Sequence, residues 1–354
     1  MAAKAGSRAV TLSAPTSIAT DTPRSSVRGT TVSLSIAPMM DYTDRHFRRV
    51  MRAFTRRTLL YSEMITGQAL ILGNRVDLLR FDPIEKPLVL QLGGDDPRLL
   101  ARSAKLAEDL GWDEVNLNVG CPSDKVVKGR FGACLMAHPE VVGAAVAAMR
   151  ATVAIPVTVK HRIGIDDRDQ YEHMLEFVDI VARAGADRFS VHARKAWLNG
   201  ISPKDNRTLP PLRYDEVWRL KAERPGLPIE INGGIKTLDE ARRHLDQVDA
   251  VMMGRAAYET PWVFGDADRA IFGDTNPVAH RTEGVLSLIP YLASEIAAGV
   301  RPHHIVRHLL GLFHGTPVSR AWKQGIAAIG QMRGPEAATA LEDMALAVHR
   351  RNAA

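Results

Sequence analysis

A cysteine between a glycine and a proline is the residue of this sequence best placed to do chemistry. Cys121 lies in the run Gly120-Cys121-Pro122, directly after an apolar segment with the pattern of a β-strand. Because proline restricts the local backbone, the thiol should be presented from a rigid turn. A thiol held in this way can protonate a substrate whose C=C bond is being reduced. The alternative is a free cysteine packed in the core, and Cys134 has no comparable setting.

Glycines and a cation follow two other apolar segments and suggest a phosphate site. Asn232-Gly233-Gly234 follows one segment, and Gly254-Arg255 follows the next. Glycines let backbone N–H groups approach a phosphate closely, and the arginine adds a fixed positive charge. The alternative is that the glycines only turn tight corners.

The ends of further segments match the needs of a flavin that carries such a phosphate. Gln91 and Lys160 suit the polar pyrimidine edge, where a cation stabilises the reduced ring. The run Pro38-Met39-Met40 suits the apolar rings, and His192 could donate to the flavin edge or to the phosphate. Each polar side chain could instead be a satisfied structural group. The GxGxxG fingerprint is absent from the sequence, so a nicotinamide reductant would bind only transiently.

All of these residues end predicted strands of a repeated strand–helix pattern. Short β-branched runs alternate with amphipathic helical stretches from Val32 onward. We predict eight strands: Val32–Met40, Leu59–Met64, Pro87–Gly94, Glu114–Gly120, Pro156–Ile163, Arg188–Arg194, Pro228–Gly234 and Ala250–Ala256. A capping box of Thr237 and Glu240 predicts the start of one helix between them. Eight βα units predict an α/β fold, a TIM (β/α)8 barrel, whose active site lies at the carboxyl ends of the strands.

The chain divides into three predicted parts. Residues 1–31 are rich in Ser, Thr and Ala without periodicity, which predicts a disordered tail, with an organellar transit peptide as the alternative. The barrel is predicted for residues 32–268. Residues 269–354 follow as a small all-α helical domain, because their apolar residues recur at helical spacing.

Four helical segments are predicted in this last part. They are Gly284–Ala298, Ile305–Phe313, Val318–Met332 and Ala337–Val348. Thr316 and Pro317 are typical of an N-cap and a first helical residue. The following helix would then bring Arg320, Lys323 and Gln324 together on one face.

The composition limits which class of partner and which cellular compartment we expect. The 354 residues carry a formal net charge of +6 and a sequence pI near 9.4, which favours a polyanionic partner such as a nucleic acid. The two cysteines are too few for a disulfide framework and indicate a reducing compartment. No apolar run approaches the roughly 20 residues of a membrane-spanning helix. We therefore expect a cytoplasmic protein without a membrane partner, and a monomer.

Metal binding is not expected. His303, His304 and His308 include a pair at i, i+4, but no neighbouring carboxylate or cysteine completes a site. A solvated or RNA-facing basic helix is the interpretation we prefer for these histidines.

The strand-end residues taken together resemble those of the bacterial dihydrouridine synthases, and closely those of the A-type subfamily that modifies uridines 20 and 20a of tRNA. The resemblance covers about Ser35 to Arg333. Its most specific motifs are Ala37-Pro-Met-Met-Asp41, Gln91-Leu-Gly-Gly94, Asn116-Leu-Asn-Val-Gly-Cys-Pro-Ser123, His192-Ala-Arg-Lys-Ala-Trp-Leu-Asn-Gly200, Ser202-Pro-Lys-Asp-Asn-Arg207 and Ile231-Asn-Gly-Gly234.

The resemblance implies a TIM barrel with a C-terminal RNA-binding helical domain, bound FMN, NADPH as the reductant and tRNA as the substrate. It assigns Cys121 as the proton donor and Asn118 as the residue that orients the target uracil. The implied FMN contacts are Pro38, Met39, Met40, Gln91, Lys160, His192, Asn232, Gly233, Gly234, Gly254 and Arg255. The residues assigned to tRNA binding are Arg194, Lys204, Asp205, Arg207, Thr208, Arg320 and Lys323.

The mechanism that we expect on this basis has two half-reactions. NADPH reduces FMN and leaves, and tRNA then binds with its target uridine extruded into the barrel, because a flavin there cannot reach a stacked base. Hydride passes from flavin N5 to uracil C6, and Cys121 protonates C5. Two other functions stay open: a flavin reductase of a small pyrimidine, and a tRNA-binding protein or RNA chaperone that has lost catalysis.

Overall fold

Leucine-rich and β-branched runs form the strands of a parallel barrel. The fold is that of a computed structural model, which describes residues 32–353 except 124, 125 and 127. The tail predicted for residues 1–31 lies outside the described residues. The strands are β1 Leu34–Ile36, β2 Leu60–Tyr61, β3 Ile65–Thr66, β4 Leu88–Gly93, β5 Glu114–Val119, β6 Val157–Arg162, β7 Phe189–His192, β8 Ile229–Asn232 and β9 Ala250–Met253.

The strands pair in a ring, and all the pairs are parallel. The order is β1-β9-β8-β7-β6-β5-β4-β2, with β3 paired to β4. Two backbone hydrogen bonds join the ends of this series: Ile36 N–H donates to Leu59 O at 2.9 Å, and Leu59 N–H donates to Leu34 O at 3.0 Å. Helices surround the strands, as expected where a parallel sheet is covered on its outer face. The predicted TIM barrel is confirmed.

One predicted strand is divided in the structure, and the other seven are shorter than predicted. The strand expected at Leu59–Met64 is interrupted after Tyr61, and the short β3 follows it, so the described residues contain nine strands instead of eight. The reason lies in the Ser62 hydroxyl, which accepts from Gln91 N–H at 3.0 Å and donates to Glu63 O at 2.7 Å. The Ser62 side chain takes the place of a backbone carbonyl in the hydrogen bonding of the sheet, so the main chain leaves the sheet at this point.

Fourteen α-helices lie entirely within the described residues. They are α1 Arg45–Arg52, α2 Gly67–Ile71, α3 Pro97–Asp109, α4 Pro139–Arg150, α5 Tyr171–Arg183, α6 Tyr214–Glu223, α7 Leu238–Leu245, α8 Arg255–Glu259, α9 Ala267–Phe272, α10 Arg281–Ser287, α11 Ile289–Ala297, α12 His303–Val306, α13 Ser319–Gln331 and α14 Glu336–Ala353. Short 3-10 turns lie at Val76–Leu79, Pro83–Glu85, Gly132–Ala137, Asp205–Arg207, Pro261–Asp266 and Arg307–Leu309. The predicted capping box of Thr237 and Glu240 is present at the start of α7.

The helical segment after the barrel follows the prediction with three corrections. The helix expected at Ile305–Phe313 is not continuous, because α12 ends at Val306 and the short 3-10 turn Arg307–Leu309 follows it. The helix expected at Gly284–Ala298 is two helices, because Pro290, the second residue of α11, lacks the N–H that a continuous helix needs. The N-cap predicted at Thr316 is wrong. Its hydroxyl donates to Phe313 O at 2.7 Å, and α13 begins at Ser319 without a side-chain cap.

The helices after the barrel form a second hydrophobic core that includes the end of α1 and the two residues after it. Phe54 and its neighbours Val50 and Ala53 are buried in this core. A Cβ atom added to Gly284 would lie 2.2 Å from Phe54 Cε1, so the two parts pack without a gap. Within the described residues, no helix is both long and apolar enough to cross a membrane.

Candidate active site at the barrel mouth

The register of the parallel strands brings the predicted site residues together at one end of the barrel. Asn118 pairs with Lys160 across β5 and β6, and His192 pairs with Asn232 across β7 and β8. Lys160 Nζ donates to Asn232 Oδ1 at 3.2 Å. Strand β7 separates these two residues in the sheet, so this contact crosses the inside of the barrel. Asn232 is fixed in turn, because its Nδ2 donates to Met252 O at 2.8 Å.

A chain of amide side chains runs from the mouth into the barrel. Asn118 Nδ2 donates to Gln91 Oε1, and Gln91 Nε2 donates to Asn116 Oδ1, both at 2.9 Å. Asn116 Nδ2 then donates to Thr158 Oγ1 at 2.9 Å, and Thr158 Oγ1 donates to Glu114 Oε1 at 2.6 Å. Buried amides that satisfy one another hold a single arrangement. Gln91 therefore has a structural role beside its predicted flavin contact, and one of its N–H groups remains for a ligand.

The same asparagine shapes the turn that carries the cysteine. Asn118 Oδ1 accepts from the backbone N–H of Gly120 at 3.1 Å and of Cys121 at 3.0 Å. The Cys121 carbonyl accepts from Ala133 N–H at 2.9 Å, and its Sγ donates to Ser123 Oγ at 3.5 Å. The turn is thus held from both sides, as its composition predicts. Asn118 was assigned to the uracil alone, and the structure adds the positioning of Cys121.

Arg162 is a site residue that the sequence analysis left without a role. Its buried guanidinium donates to Gly120 O at 2.9 Å and to the carbonyls of Lys195 and Asn206 at 3.0 Å. It therefore ties the cysteine turn to the long loop after β7. The alternation of strand residues could have placed Arg162 inside the barrel, because it lies two positions after Lys160 on the same face.

Two of the predicted phosphate-site glycines occupy conformations that only glycine adopts readily. Gly233 has φ +119°, and an added Cβ would lie 2.7 Å from His192 Cδ2. Gly234 has φ +73°, and its Cβ would lie 2.7 Å from Leu212 Cδ1. Tyr214 fixes this corner, because its hydroxyl donates to Gly233 O at 2.6 Å. Both glycines therefore turn a tight corner, and their part in a phosphate site stays a prediction.

The third glycine and its arginine lie on an open side of the mouth. An added Cβ on Gly254 would find its nearest neighbour, Ala37 Cβ, at 3.7 Å, which is ordinary contact. Arg255 is exposed and its Nη2 donates to Arg207 O at 3.4 Å. The structure brings this cation to the loop that the sequence analysis assigned to tRNA.

Burial among cations sets the protonation of two mouth residues. Burial lowers the pKa of the Lys160 ammonium from its ordinary value to about 8, and the nearby Arg162 lowers it as well. Burial also holds the pKa of His192 well below its ordinary value, with Arg162, Lys160, Arg194 and Arg255 acting in the same direction. His192 is therefore neutral at pH 7. The mouth contains an excess of positive charge, and an anionic group would relieve it.

The first strand ends in a closed turn. Thr43 Oγ1 accepts from Met39 N–H at 3.0 Å and donates to Met39 O at 3.2 Å, and Thr43 N–H also donates to that carbonyl at 3.0 Å. Pro38 and Met39 are partly buried, whereas Met40 is 50% exposed. The predicted apolar seat lies at the mouth, with Met40 at its outer edge.

The loop after β7 presents the residues predicted to bind tRNA. Lys204, Arg207 and Thr208 are exposed, and Asp205 accepts from Ser202 Oγ at 2.7 Å. Asn206 is buried at the centre of this loop. Its side chain accepts from Trp197 N–H at 2.9 Å and donates to Trp197 O at 2.8 Å.

Arg194 has a different environment from the one that the sequence suggested. It is partly buried, and its Nη1 donates to Thr208 O at 3.4 Å and to Pro210 O. Its guanidinium therefore holds the loop after β7 in place through these backbone carbonyls. A direct contact of Arg194 with tRNA stays a prediction.

Basic side chains also line the helical segment. Arg320 and Lys323 are exposed on one face of α13, together with Gln324, in spite of the wrong N-cap. Arg301, His303, His304 and Arg333 line a surface pocket of about 270 Å³ near the end of α13. The expectation of a solvated helix is wrong for His308. It is buried, and its Nε2 lies 3.1 Å from Asp44 Oδ1.

Comparison with known proteins decides the family. The family model described as dihydrouridine synthase (Dus) matches residues 35–349, which is more than half of the chain. The chain belongs to the dihydrouridine synthase family. The structure therefore describes a member of a family of enzymes, and the barrel mouth is where a (β/α)8 enzyme keeps its active site.

Similarity to individual relatives covers most of the chain of this dihydrouridine synthase. A tRNA-dihydrouridine(20/20a) synthase of Synechocystis is 58% identical over 294 residues, covering 83% of this chain and 88% of the relative. The protein with the same name in Vibrio parahaemolyticus is 52% identical over 295 residues, covering 83% and 90%. The one in Yersinia pestis is 49% identical over 313 residues, covering 88% and 90%.

A solved structure supports the fold alone. A 2-naphthoyl-CoA reductase in complex with 2-naphthoyl-CoA superimposes with a TM-score of 0.53 and 11% sequence identity. The match covers 66% of this chain and 49% of that chain. At this identity the likeness supports the barrel and nothing about the reaction.

Proposed function

We propose that this protein reduces the C5=C6 bond of uridine 20, uridine 20a or both in tRNA, and forms 5,6-dihydrouridine. One structural observation supports the proposal in addition to family membership. Asn118 bonds both to the backbone of Cys121 and to Gln91, so a proton donor and the predicted flavin seat are joined by one side chain. The (20/20a) position rests on the names of the relatives.

The residues at the mouth fit FMN. Gly233 and Gly234 turn a tight corner in which an added Cβ atom would clash with His192 or Leu212. The backbone N–H groups of this corner would form the cradle for a phosphate. Lys160 offers a partly exposed ammonium whose charge a flavin would stabilise. Pro38 and Met39 offer apolar contact.

FMN would be held by the residues that the sequence analysis assigned to it. The polar and apolar contacts to the ring would come from Pro38, Met39, Met40, Gln91, Lys160 and Asn232, and those to the phosphate from His192, Gly233, Gly234, Gly254 and Arg255. When bound, FMN supplies the hydride, taken from NADPH, that is added to uracil C6.

The protein itself positions the uracil and supplies the proton. Cys121 Sγ donates a proton to C5 as the hydride adds to C6, so that the C5=C6 double bond becomes a single bond and two C–H bonds form. The thiol then recovers its proton from solvent. Asn118 keeps the cysteine turn in place and orients the base, and Arg162 holds that turn against the loop after β7.

The substrate reaches the mouth as an extruded nucleotide. A base inside a stack cannot enter a barrel, so the target uridine must leave its stack. Lys204, Asp205, Arg207 and Thr208 on the loop after β7, with Arg194 beneath them, would contact tRNA near the mouth. Arg320 and Lys323 would hold phosphates farther away. In this proposal the catalytic barrel spans residues 32–268, residues 269–354 bind tRNA, and the enzyme acts as a cytoplasmic monomer.

An anaerobic experiment tests the proposal. The flavin-loaded protein is reduced with NADPH, unmodified tRNA is added, and flavin absorbance is followed while dihydrouridine is mapped in the product. We expect reoxidation of the flavin coupled to dihydrouridine at position 20 or 20a. A flavin that stays reduced with tRNA but is reoxidised by a free pyrimidine would contradict the proposal and favour a small-molecule reductase.

Flavin affinity should fall as the pH rises above about 8. The pKa of Lys160 lies below its ordinary value, at about 8, so the ammonium loses its proton above that pH and attracts an anionic ligand less. One titrating group changes affinity by up to about tenfold per pH unit. Titrations of FMN fluorescence at constant ionic strength measure the effect. Lys160→Met should remove the dependence, whereas Lys105→Met on α3 should keep it.

Removing two cations of α13 should weaken tRNA binding. Arg320→Ala with Lys323→Ala takes away two exposed charges, so the slope of log K against log salt should decrease by about 1.5. Anisotropy titrations over a range of salt measure it. Arg102→Ala with Lys105→Ala is the matched control, since these residues are exposed at the same spacing on α3. An unchanged slope in the α13 variant would exclude this face from the tRNA contact.

A further inference from the structure

The barrel mouth carries an aromatic side chain that no part of the proposed mechanism uses. Tyr42 is 40% exposed, and no other Phe, Trp or Tyr among the described residues is as exposed. The neighbouring Met40 is 50% exposed. Large apolar side chains exposed next to a functional site indicate a contact surface.

The backbone holds Tyr42 outward in a fixed turn. The Tyr42 N–H donates to Met39 O at 3.1 Å, inside the turn that Thr43 closes. Asp41 has φ +66°, a backbone conformation that residues other than glycine rarely adopt. Its N–H donates to Glu63 Oε1, which holds this conformation. Strain that is maintained by the surrounding structure is typical of positions under functional constraint.

The ring of Tyr42 is supported by packing on its inner side. It meets the ring of Tyr258 with 4.2 Å between centroids and 68° between planes. Tyr258 also packs near Phe47 and near His308, with centroid distances of 6.2 Å and 6.1 Å. These residues come from α8, from α1 and from the helical segment. Tyr42 therefore lies where the barrel mouth meets that segment.

Positive charge lies beside this aromatic side chain. Arg255 is exposed one helical turn before Tyr258 on α8, and its Nη2 reaches Arg207 O at 3.4 Å. This contact brings the loop with the exposed cations Lys204 and Arg207 to α8, which carries Tyr258. An exposed aromatic ring near such cations is suited to single-stranded nucleic acid, since the ring stacks on a base and the cations attract the backbone.

We propose that Tyr42 is a stacking platform for a nucleobase next to the extruded uridine, and so a positioning residue for tRNA. The inference rests on the proposed function and names one contact within it. An extruded nucleotide leaves its neighbour without a stacking partner, and a ring presented at the rim of the mouth replaces that partner. The same chemistry could serve the adenine of NADPH, and the experiment separates the two sources.

The test compares variants of Tyr42 in the flavin-loaded, full-length protein. Tyr42→Ala should weaken the affinity for unmodified tRNA and lower kcat/KM for dihydrouridine formation by roughly 5- to 100-fold, the range for loss of one base–aromatic stack. Tyr42→Phe and Tyr42→Trp keep a π-face and should stay within about threefold of the wild type. NADPH oxidation by dioxygen, which requires no RNA, should be unchanged in all three.

Several results would overturn the inference. Wild-type affinity in Tyr42→Ala excludes stacking, and an equal loss in Tyr42→Phe assigns the effect to the hydroxyl group. A parallel loss in NADPH oxidation assigns the ring to the reductant. Tyr42→Leu keeps apolar packing on Tyr258 without a π-face, so its tRNA affinity decides the matter if the alanine variant is unstable. Failure of the wild type to form dihydrouridine would contradict the proposed function instead.

Discussion

Replacing Cys121 by alanine is expected to slow dihydrouridine formation about 10²- to 10⁴-fold while flavin content and tRNA affinity stay unchanged. This range is typical for loss of a positioned general acid. The backbone of the turn should survive, because Asn118 and Ala133 bond to main-chain atoms of residue 121. Single-turnover reduction of tRNA by the prereduced protein measures the rate directly. NADPH should still reduce the flavin at the wild-type rate.

Two further variants make this expectation specific to the thiol. Cys134→Ala removes the other cysteine, whose Sγ donates to Phe131 O at 3.2 Å, and should leave the rate unchanged. Cys121→Ser keeps the turn with a weaker acid and should give an intermediate rate. Near wild-type product formation in Cys121→Ala would remove the thiol from the mechanism.

The second large effect is expected at Gly233. Gly233→Ala places a Cβ atom 2.7 Å from His192 Cδ2 and 3.1 Å from Leu212 Cδ2, at a φ of +119°. The backbone strain alone amounts to about 1 to 3 kcal/mol, and the histidine ring must move to admit the methyl group. We expect a protein that folds but binds FMN more than tenfold more weakly. The ratio of flavin to protein after purification, followed by an FMN titration, measures it.

A second glycine-to-alanine change serves as the control. Gly226 precedes β8, the same strand that ends at Asn232, and an added Cβ there meets no atom within 4 Å. Gly226→Ala should keep its flavin and its melting temperature. Full flavin content in Gly233→Ala would show that the corner tolerates a side chain and that the proposed cradle is not needed.

The barrel could be predicted from the sequence because its signals are local. Strand β4 is buried along its whole length and is apolar except for Gln91, as is characteristic of a parallel strand covered on both faces. The Asn118 bonds to Gly120 and Cys121 are local as well, since asparagine commonly bonds to the backbone two or three residues ahead.

Contacts between distant segments could not be predicted in this way. The link from Asn118 to Gln91 depends on the register of β4 against β5, and that register follows from packing of the whole barrel. Arg162 could be placed on the inner face, but its acceptors are carbonyls of two separate loops, which carry no sequence pattern. Thr316 was misread because its hydroxyl had two possible partners, and only the folded chain selects between them.

The burial of Val50 at the end of α1, and of Ala53 and Phe54 directly after it, has a consequence for recombination. Because the end of this first helix packs in the second core, the C-terminal helices cannot be exchanged between relatives without α1. A crossover after residue 268 would place a foreign surface against Phe54, where Gly284 leaves no space for even a methyl group. Chimaeras of two relatives should therefore fold only when α1 comes from the same parent as the helical segment.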